Sequence, residues 1–256
     1  MAAERLRGTG VAVTRAACEA GDLARKLQAR GAHVALWPCI GFADAEDIGA
    51  VREAVRAFDS FDWIAVTSPR AVSRLAAEVD GVPCGSRLAA AGPVTAAALA
   101  DAGWPVHRVA AHPGARGLAD EFARAGDAEG SRVLFACGDR ALEALPTGLE
   151  ALGATVTRVV VYRTLELKPE PGIVRQAAES GMVRVITFAS PSAVSGFLNG
   201  AEADGVDPTG SFAAAAIGPT TAEALRSAAW EPVTADEATM DGLVEAAAQA
   251  AGNSGR

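Results

Sequence analysis

Asp62-Trp-Ile-Ala-Val-Thr-Ser-Pro-Arg-Ala-Val72 returns 122 residues later as Arg184-Val-Ile-Thr-Phe-Ala-Ser-Pro-Ser-Ala-Val194. In both copies an apolar run ends in Ser-Pro and passes into helical spacing. Serine suits a helix N-cap, where its oxygen can accept an orphan backbone N–H. Proline suits the first helical position, where no N–H is needed. Each copy reads as strand, tight turn, helix.

Working outward, the two halves keep matching. Val11-Ala-Val13 through Gly31-Ala-His-Val34 corresponds to Val133-Leu-Phe135 through Gly153-Ala-Thr-Val156, again at 122. Gly92-Pro-Val-Thr-Ala-Ala-Ala-Leu99 corresponds to Gly218-Pro-Thr-Thr-Ala-Glu-Ala-Leu225, and Trp104 to Trp230, at 126. Gly117-Leu118 corresponds to Gly242-Leu243 at 125. Ordered matches across most of each half indicate a duplicated unit of about 120 residues.

Within each copy, short apolar runs alternate with helical stretches. VAVTR, HVALW, DWIAVTS, RLAAAG and VHRVA are expected strands. Leu23 and Leu27 lie four apart on one helical face, and Gly31 follows as a natural stop. Apolar strands alternating with helices imply parallel sheets covered on both faces. The expected fold is α/β: two doubly wound, flavodoxin-like domains. The repeat leaves one choice open. Each copy folds alone, or the copies exchange their leading strand pairs through Trp37–Gly41 and Val160–Arg163, which gives a two-stranded hinge.

Bulk composition narrows the function. Half of the 256 residues are apolar, enough for a sizeable core. The net charge is −8 and no basic run occurs, which argues against nucleic acid or an anionic membrane as partner. No stretch approaches the roughly 18 apolar residues of a membrane helix. MAAERLRGTG lacks the apolar core of an export signal, so the expected location is the cytoplasm. Cys18, Cys39, Cys84 and Cys137 form no C-x-x-C pair and read as small buried residues of a reduced protein. His33, His107 and His112 are scattered and read as surface or loop residues, so no metal site is expected. Gly8-Thr-Gly10 precedes its strand, which excludes a dinucleotide fingerprint, and neither a phosphate-binding P-loop nor a nucleophile elbow is present.

The remaining candidates lie where ligands meet parallel sheets, at the carboxyl ends of strands. Ser68 and Ser190 open helices whose free N–H groups attract carboxylates, although capping alone would also explain them. Thr95, Thr220 and Thr221 follow the Gly-Pro turns, where glycine allows a tight bend and close ligand approach. Tyr162 is the only tyrosine; a phenol at a strand end can donate a proton, or simply pack with a wet tip. Arg15, Arg70, Arg140 and Arg163 end strands and suit carboxylates, with Arg70 and Arg140 read as solvated surface charge.

These segments together resemble the uroporphyrinogen-III synthase family. The resemblance rests on Val11-Ala-Val-Thr-Arg15, Thr67-Ser-Pro-Arg-Ala-Val72, Ala91-Gly-Pro-Val-Thr-Ala96, Val159-Val-Val-Tyr-Arg163, Ser190-Pro-Ser-Ala-Val194 and Ala216-Ile-Gly-Pro-Thr-Thr-Ala222. It runs over roughly residues 10–245, and its strength lies in order and spacing. It implies one domain from residues 1–38 plus 165–256 and an inserted one from 41–161, with a cleft between. It also implies a cofactor-free, metal-free lyase that closes hydroxymethylbilane, a linear tetrapyrrole, with loss of water and inversion of the terminal ring through a spiro intermediate. In that reading Tyr162 assists water departure, and Arg15, Ser68, Thr95, Ser190, Thr220 and Thr221 bind substrate. Arg70 and loop Cys137-Gly-Asp-Arg140 depart from the family pattern. A cytoplasmic monomer with neither nucleic acid nor membrane as partner is expected. The alternatives are a two-domain small-molecule binding module without catalysis, and a nucleotide-dependent enzyme of doubly wound type.

Overall fold

The Ser-Pro turns do form strand–helix junctions. The structure is a computed structural model that describes residues 6–79, 81 and 85–253. Cys84 and the first five residues of the N-terminal stretch read above lie outside the described residues.

In chain order the first strands are β1 (Gly10–Val13), β2 (His33–Leu36), β3 (Ile40–Asp44), β4 (Trp63–Val66), β5 (Arg87–Ala90) and β6 (Arg108–Val109). They are followed by β7 (Arg132–Gly138), β8 (Thr155–Glu166), β9 (Val185–Phe188), β10 (Ala213–Ala216) and β11 (Val233–Thr234). The helices of the first half are α1 (Ala20–Ala29), α2 (Ile48–Arg56), α3 (Pro69–Ala76), α4 (Pro93–Asp101) and α5 (Ala115–Ala125). Those of the second half are α6 (Ala144–Ala151), α7 (Ile173–Ser180), α8 (Pro191–Ala203), α9 (Pro208–Ser211), α10 (Pro219–Ser227) and α11 (Met240–Asn253). The chain divides into two compact units: Met1–Gly41 with Leu165–Arg256, and Phe42–Thr164.

The first unit holds a sheet of order β11-β10-β9-β1-β2, with every neighbouring pair parallel. Duplication relates β7 and β8 to β1 and β2, and β4, β5 and β6 to β9, β10 and β11. The second unit's sheet has the order β3-β8-β7-β4-β5-β6. Apart from its extra edge strand β3, it repeats the first sheet's order strand for strand. The α/β class and the parallel, doubly wound sheets agree with the sequence reading. The leading strand pair of each copy joins the trailing strands of the other copy.

Strand alternation sorts the two faces of each sheet. On one face of the first unit, Val11, Val13 and Val185 pack with Leu23 and Leu27 of α1 and Leu243 and Val244 of α11. Leu23 and Leu27 are fully buried while Asp22 and Arg25 stay exposed, so the helix docks on its apolar stripe. Each leucine buried this way contributes about 1.5–3 kcal/mol. Gly31, at φ +88°, lets the chain leave α1. On the other face Phe188, Phe197, Phe212, Trp37 and Trp230 form a chain of ring contacts with centroids 5.5–6.3 Å apart. In the second unit α2, α3 and α4 cover one face through Val51, Val72, Leu75 and Leu99. Helices α5 and α6 cover the other through Leu118, Phe122, Leu145 and Leu149.

The repeated residues have repeated physical causes. The Trp104 and Trp230 indoles are both 3% exposed, and each donates its N–H to a backbone carbonyl at 3.2 Å (Gly81 and Phe212). A Cβ at Gly117 would fall 1.7 Å from the His112 carbonyl oxygen, and one at Gly242 would fall 2.2 Å from that of Glu237. Both glycines sit in the first turn of a helix that folds back on its own incoming loop.

Among the described residues Cys39 and Cys137 are buried as expected, but Cys18 is exposed. It is the middle residue of a short 3-10 turn, Ala17–Glu19, ahead of α1, and none of that turn's residues is buried. Apolar character alone does not bury a residue on such a turn. No helix among the described residues is long and apolar enough to cross a membrane.

Candidate active site

Because the sheets are parallel, every strand-to-helix turn after β1, β9 and β10 lies at the carboxyl edge of one sheet, and every turn after β4, β5 and β7 at that of the other. Ser68 is the N-cap of α3, and its Oγ accepts from the Ala71 N–H at 3.1 Å. Ser190 caps α8 in the same way, accepting from the Ala193 N–H at 3.3 Å. Each hydroxyl satisfies one amide and keeps its own proton to donate.

Tyr162 sits late in β8, half-buried, and its phenol oxygen lies 3.3 Å from Ser68 Oγ. That distance is long for an O–H···O pair, so the phenol is only loosely held. The ring meets Phe42 edge-on with centroids 5.8 Å apart. The Arg70 guanidinium lies 3.5 Å from the Phe42 ring centroid and 6.0 Å from that of Tyr162. Arg70 is therefore half-buried over aromatic faces, contrary to its reading as solvated surface charge. The cause is its place in the first turn of α3, beside a phenylalanine that sequence separation hid; guanidinium groups stack well on such rings.

Beneath the ring lies Gly138, the last residue of β7 and buried. The β7–β8 register shifts between Cys137 and Gly138, which pairs Gly138 with Tyr162. Arg158 fastens the following loop. Its Nε donates to Cys137 Sγ at 3.4 Å, its Nη1 to Glu143 at 2.5 Å, and its Nη2 to the Asp139 and Ala141 carbonyls. Burial raises the Cys137 thiol above its ordinary pKa, and Arg158 partly offsets this, so the group is a neutral packing element. The Thr164 N–H donates to Asp139 at 2.9 Å, tying the loop to β8.

The other candidates separate by unit. Thr95 is the third residue of α4 and is 5% exposed; Thr221, its counterpart in α10, is 3% exposed, while the adjacent Thr220 is exposed. The Gly-Pro turns do not need glycine for its conformation. Gly92 and Gly218 are both extended, at φ 166° and −177°. Arg15, expected to meet substrate carboxylates, instead pairs with Glu19 at 2.8 Å and with its carbonyl at 3.4 Å. Arg163 donates to the Asp44 carbonyl at 3.3 Å, and Arg140 is exposed. Ser68, Arg70 and Tyr162 are thus brought together in one unit, while Arg15, Ser190, Thr220 and Thr221 line the carboxyl edge of the other. Sequence reasoning missed Phe42 and Gly138.

Among the described residues no three His, Cys, Asp or Glu side chains gather as a metal site would require. His107 Nδ1 accepts the Leu88 N–H at 3.0 Å, a structural role. A cavity of about 500 Å³ bordered by Arg184, Phe212 and Trp230 lies at the amino ends of β9 and β10, the edge away from these turns.

Comparison with known proteins gives this arrangement a family. The family model described as uroporphyrinogen-III synthase HemD matches residues 21–245. The uroporphyrinogen-III synthase of Synechococcus elongatus is 30% identical over 97% of this chain and 98% of its own length. The chain belongs to the uroporphyrinogen-III synthase family. A family relative named porphyrin biosynthesis protein HemD, from Ruminiclostridium josui, is 27% identical over 94% of this chain, which spans 48% of that longer protein. Two solved uroporphyrinogen III synthases share the fold. That of Thermus thermophilus has a TM-score of 0.61 at 23% identity, covering 96% of this chain and 99% of its own. That of Helicobacter pylori has 0.60 at 16%, covering 93% and 97%. Tyr162 pairs with Gly138 at the carboxyl end of β7, beside the Ser68 turn.

Proposed function

We infer that the protein is a uroporphyrinogen-III synthase, which closes hydroxymethylbilane to uroporphyrinogen III with loss of one water. The observation that carries this reading is kinship with a synthase along 97% of the chain. The chemistry asks little of acid–base groups. The hydroxymethyl on the first ring takes a proton and leaves as water, giving an azafulvene. The last ring attacks through its substituted carbon, and the spiro intermediate breaks and recloses with that ring inverted. Unassisted closure gives the uninverted isomer, so the enzyme's work is to hold a flexible chain where the spiro closure wins.

In this reading the Tyr162 phenol hydrogen-bonds the departing hydroxyl and supplies its proton, and water restores it from solvent. The loose 3.3 Å contact with Ser68 supports that role, because the phenol can turn to substrate without breaking a strong bond. Ser68 and Ser190 donate their hydroxyl protons to acetate and propionate groups, aided by the positive ends of α3 and α8. Thr220, exposed beside Ser190's sheet edge, is assigned the same task. Thr95 and Thr221 are assigned to shaping the helix starts that face substrate. Arg15 is assigned to substrate carboxylates by exchanging Glu19 for them. Paired strands β3 and β8, in which the chain passes between units, are assigned the hinge. The protein acts as a cytoplasmic monomer without nucleic acid, in keeping with its charge of −8.

The test is turnover of hydroxymethylbilane by gel-filtered protein, with the product isomer identified. Inverted product without added nucleotide or metal supports the reading. The uninverted isomer alone would leave the binding-module alternative.

A further inference from the structure

We propose that Gly138 is a positioning residue for the Tyr162 phenol, a proposal that rests on the catalytic reading of that tyrosine. A Cβ built on Gly138 would lie 2.5 Å from Tyr162 Cζ, 2.7 Å from its hydroxyl oxygen and 2.8 Å from Cε2. Carbon atoms rest at about 3.5–4.0 Å, so any side chain there displaces the ring by about 1 Å. Gly138 is absent from the glycines at positive φ, so its backbone suits alanine and only the ring excludes one. On one side the half-buried ring is bounded by an aromatic neighbour. Phe42 meets it edge-on at 5.8 Å, with Arg70 stacked behind at 3.5 Å from Phe42. The 3.3 Å phenol–Ser68 contact is already long for a hydrogen bond, so a displacement of about 1 Å changes where the phenol can point.

The position is held as well as cleared. The register shift at Cys137/Gly138 sets Gly138 opposite Tyr162, and the Asp139 N–H donates to the Tyr162 carbonyl at 3.1 Å. Arg158 bonds Cys137 on one side and the Asp139 and Ala141 carbonyls on the other, which fixes the strand end under the ring. Gly138 touches no reacting atom; it acts by letting the phenol lie across the end of β7.

The experiment uses the full chain in four forms: parent, Gly138→Ala, Tyr162→Phe and both together. Tyr162 is the only tyrosine, so protein grown on ring-¹³C tyrosine gives the signals of one ring. The expected results for Gly138→Ala are a shifted ring signal and kcat lowered about tenfold with KM within about twofold. In the Tyr162→Phe background, Gly138→Ala removes no further activity, because no hydroxyl remains to misplace. An unmoved ring signal, an unchanged kcat, or an equal loss in both backgrounds overturns the proposal. Failure of the catalytic reading appears separately, as parental turnover by Tyr162→Phe alone. Should Gly138→Ala fail to fold, Gly138→Ala with Tyr162→Ala decides. Recovery of the Tyr162→Ala melting temperature supports the ring contact, and continued failure overturns it.

Discussion

The Tyr162 phenol stands 3.3 Å from the Ser68 hydroxyl, although 94 residues separate them. The contact joins the end of β8 to the turn after β4 across the intervening end of β7. It sets a phenol beside the N-terminus of α3, the geometry on which the proposed acid role of Tyr162 rests.

Replacing Tyr162 by phenylalanine should therefore slow turnover more than it weakens product binding. Packing against Phe42 survives, so only the hydroxyl is lost. A positioned proton donor contributes about 10²-fold or more where it is essential. In the proposed mechanism the shape imposed on the substrate does much of the work, so a loss of about tenfold in kcat is expected. Steady-state kinetics with product titration checks this, and equal kcat in mutant and parent would remove the acid role.

The serine caps should be worth similar amounts. Ser68→Ala and Ser190→Ala each remove one acceptor for a first-turn amide. Each should cost about 1 kcal/mol in urea unfolding. No loss in either would mean that water or a neighbour replaces the cap.

Paired glycines make a second test of duplication. Gly117→Ala and Gly242→Ala push a methyl into the carbonyls of His112 and Glu237, which would sit 1.7 and 2.2 Å away. Overpacking of this kind costs about 1–3 kcal/mol. Thermal unfolding should show both variants destabilised; an unaffected melting point at either site would contradict the geometry.

Asp204 supplies a pH-dependent term. It is 6% exposed and accepts from the N–H groups of Gly172, Val174 and Arg175 at 2.7, 3.1 and 3.3 Å, tying down the start of α7. Burial alone would raise its pKa, but these three donors outweigh it and hold the carboxyl below its ordinary value. A depressed folded-state pKa gives stability that is present above the unfolded pKa and lost as pH falls through the folded one. Asp204→Asn should thus cost about 2 kcal/mol at pH 7, with the gap to the parent closing below about pH 4. A gap independent of pH would show that the charge is not what matters.

Much of the fold was legible because its causes are local. The Ser-Pro caps at Ser68 and Ser190, the Leu23–Leu27 stripe and the Gly31 stop all depend on residues a few positions apart. The repeat made two matching sheets legible, and β4 through β6 and β9 through β11 do keep the same neighbours, but it left open which copy's leading strands join them. The site was legible only in part. Ser68 and Tyr162 stood out by position and rarity, but Phe42 and Gly138 carry no local signal; their importance comes from a ring that crosses strands distant in sequence. Arg70 was misread because exposure is the usual fate of a charge in a first helical turn, and nothing nearby in the chain announces the aromatic face it covers. Cys18 was misread in the opposite sense, as a small buried residue, because it falls on a turn none of whose residues is buried. The pairing of Arg15 with Glu19, four residues on, was within local reach but was not read from the sequence.

The decisive measurement is the isomer formed from hydroxymethylbilane by the purified chain, freed of small molecules and compared with a protein-free control. The account predicts uroporphyrinogen III in excess of the spontaneous product, formed faster than the control closes. Uroporphyrinogen I alone, at the control rate, would contradict it.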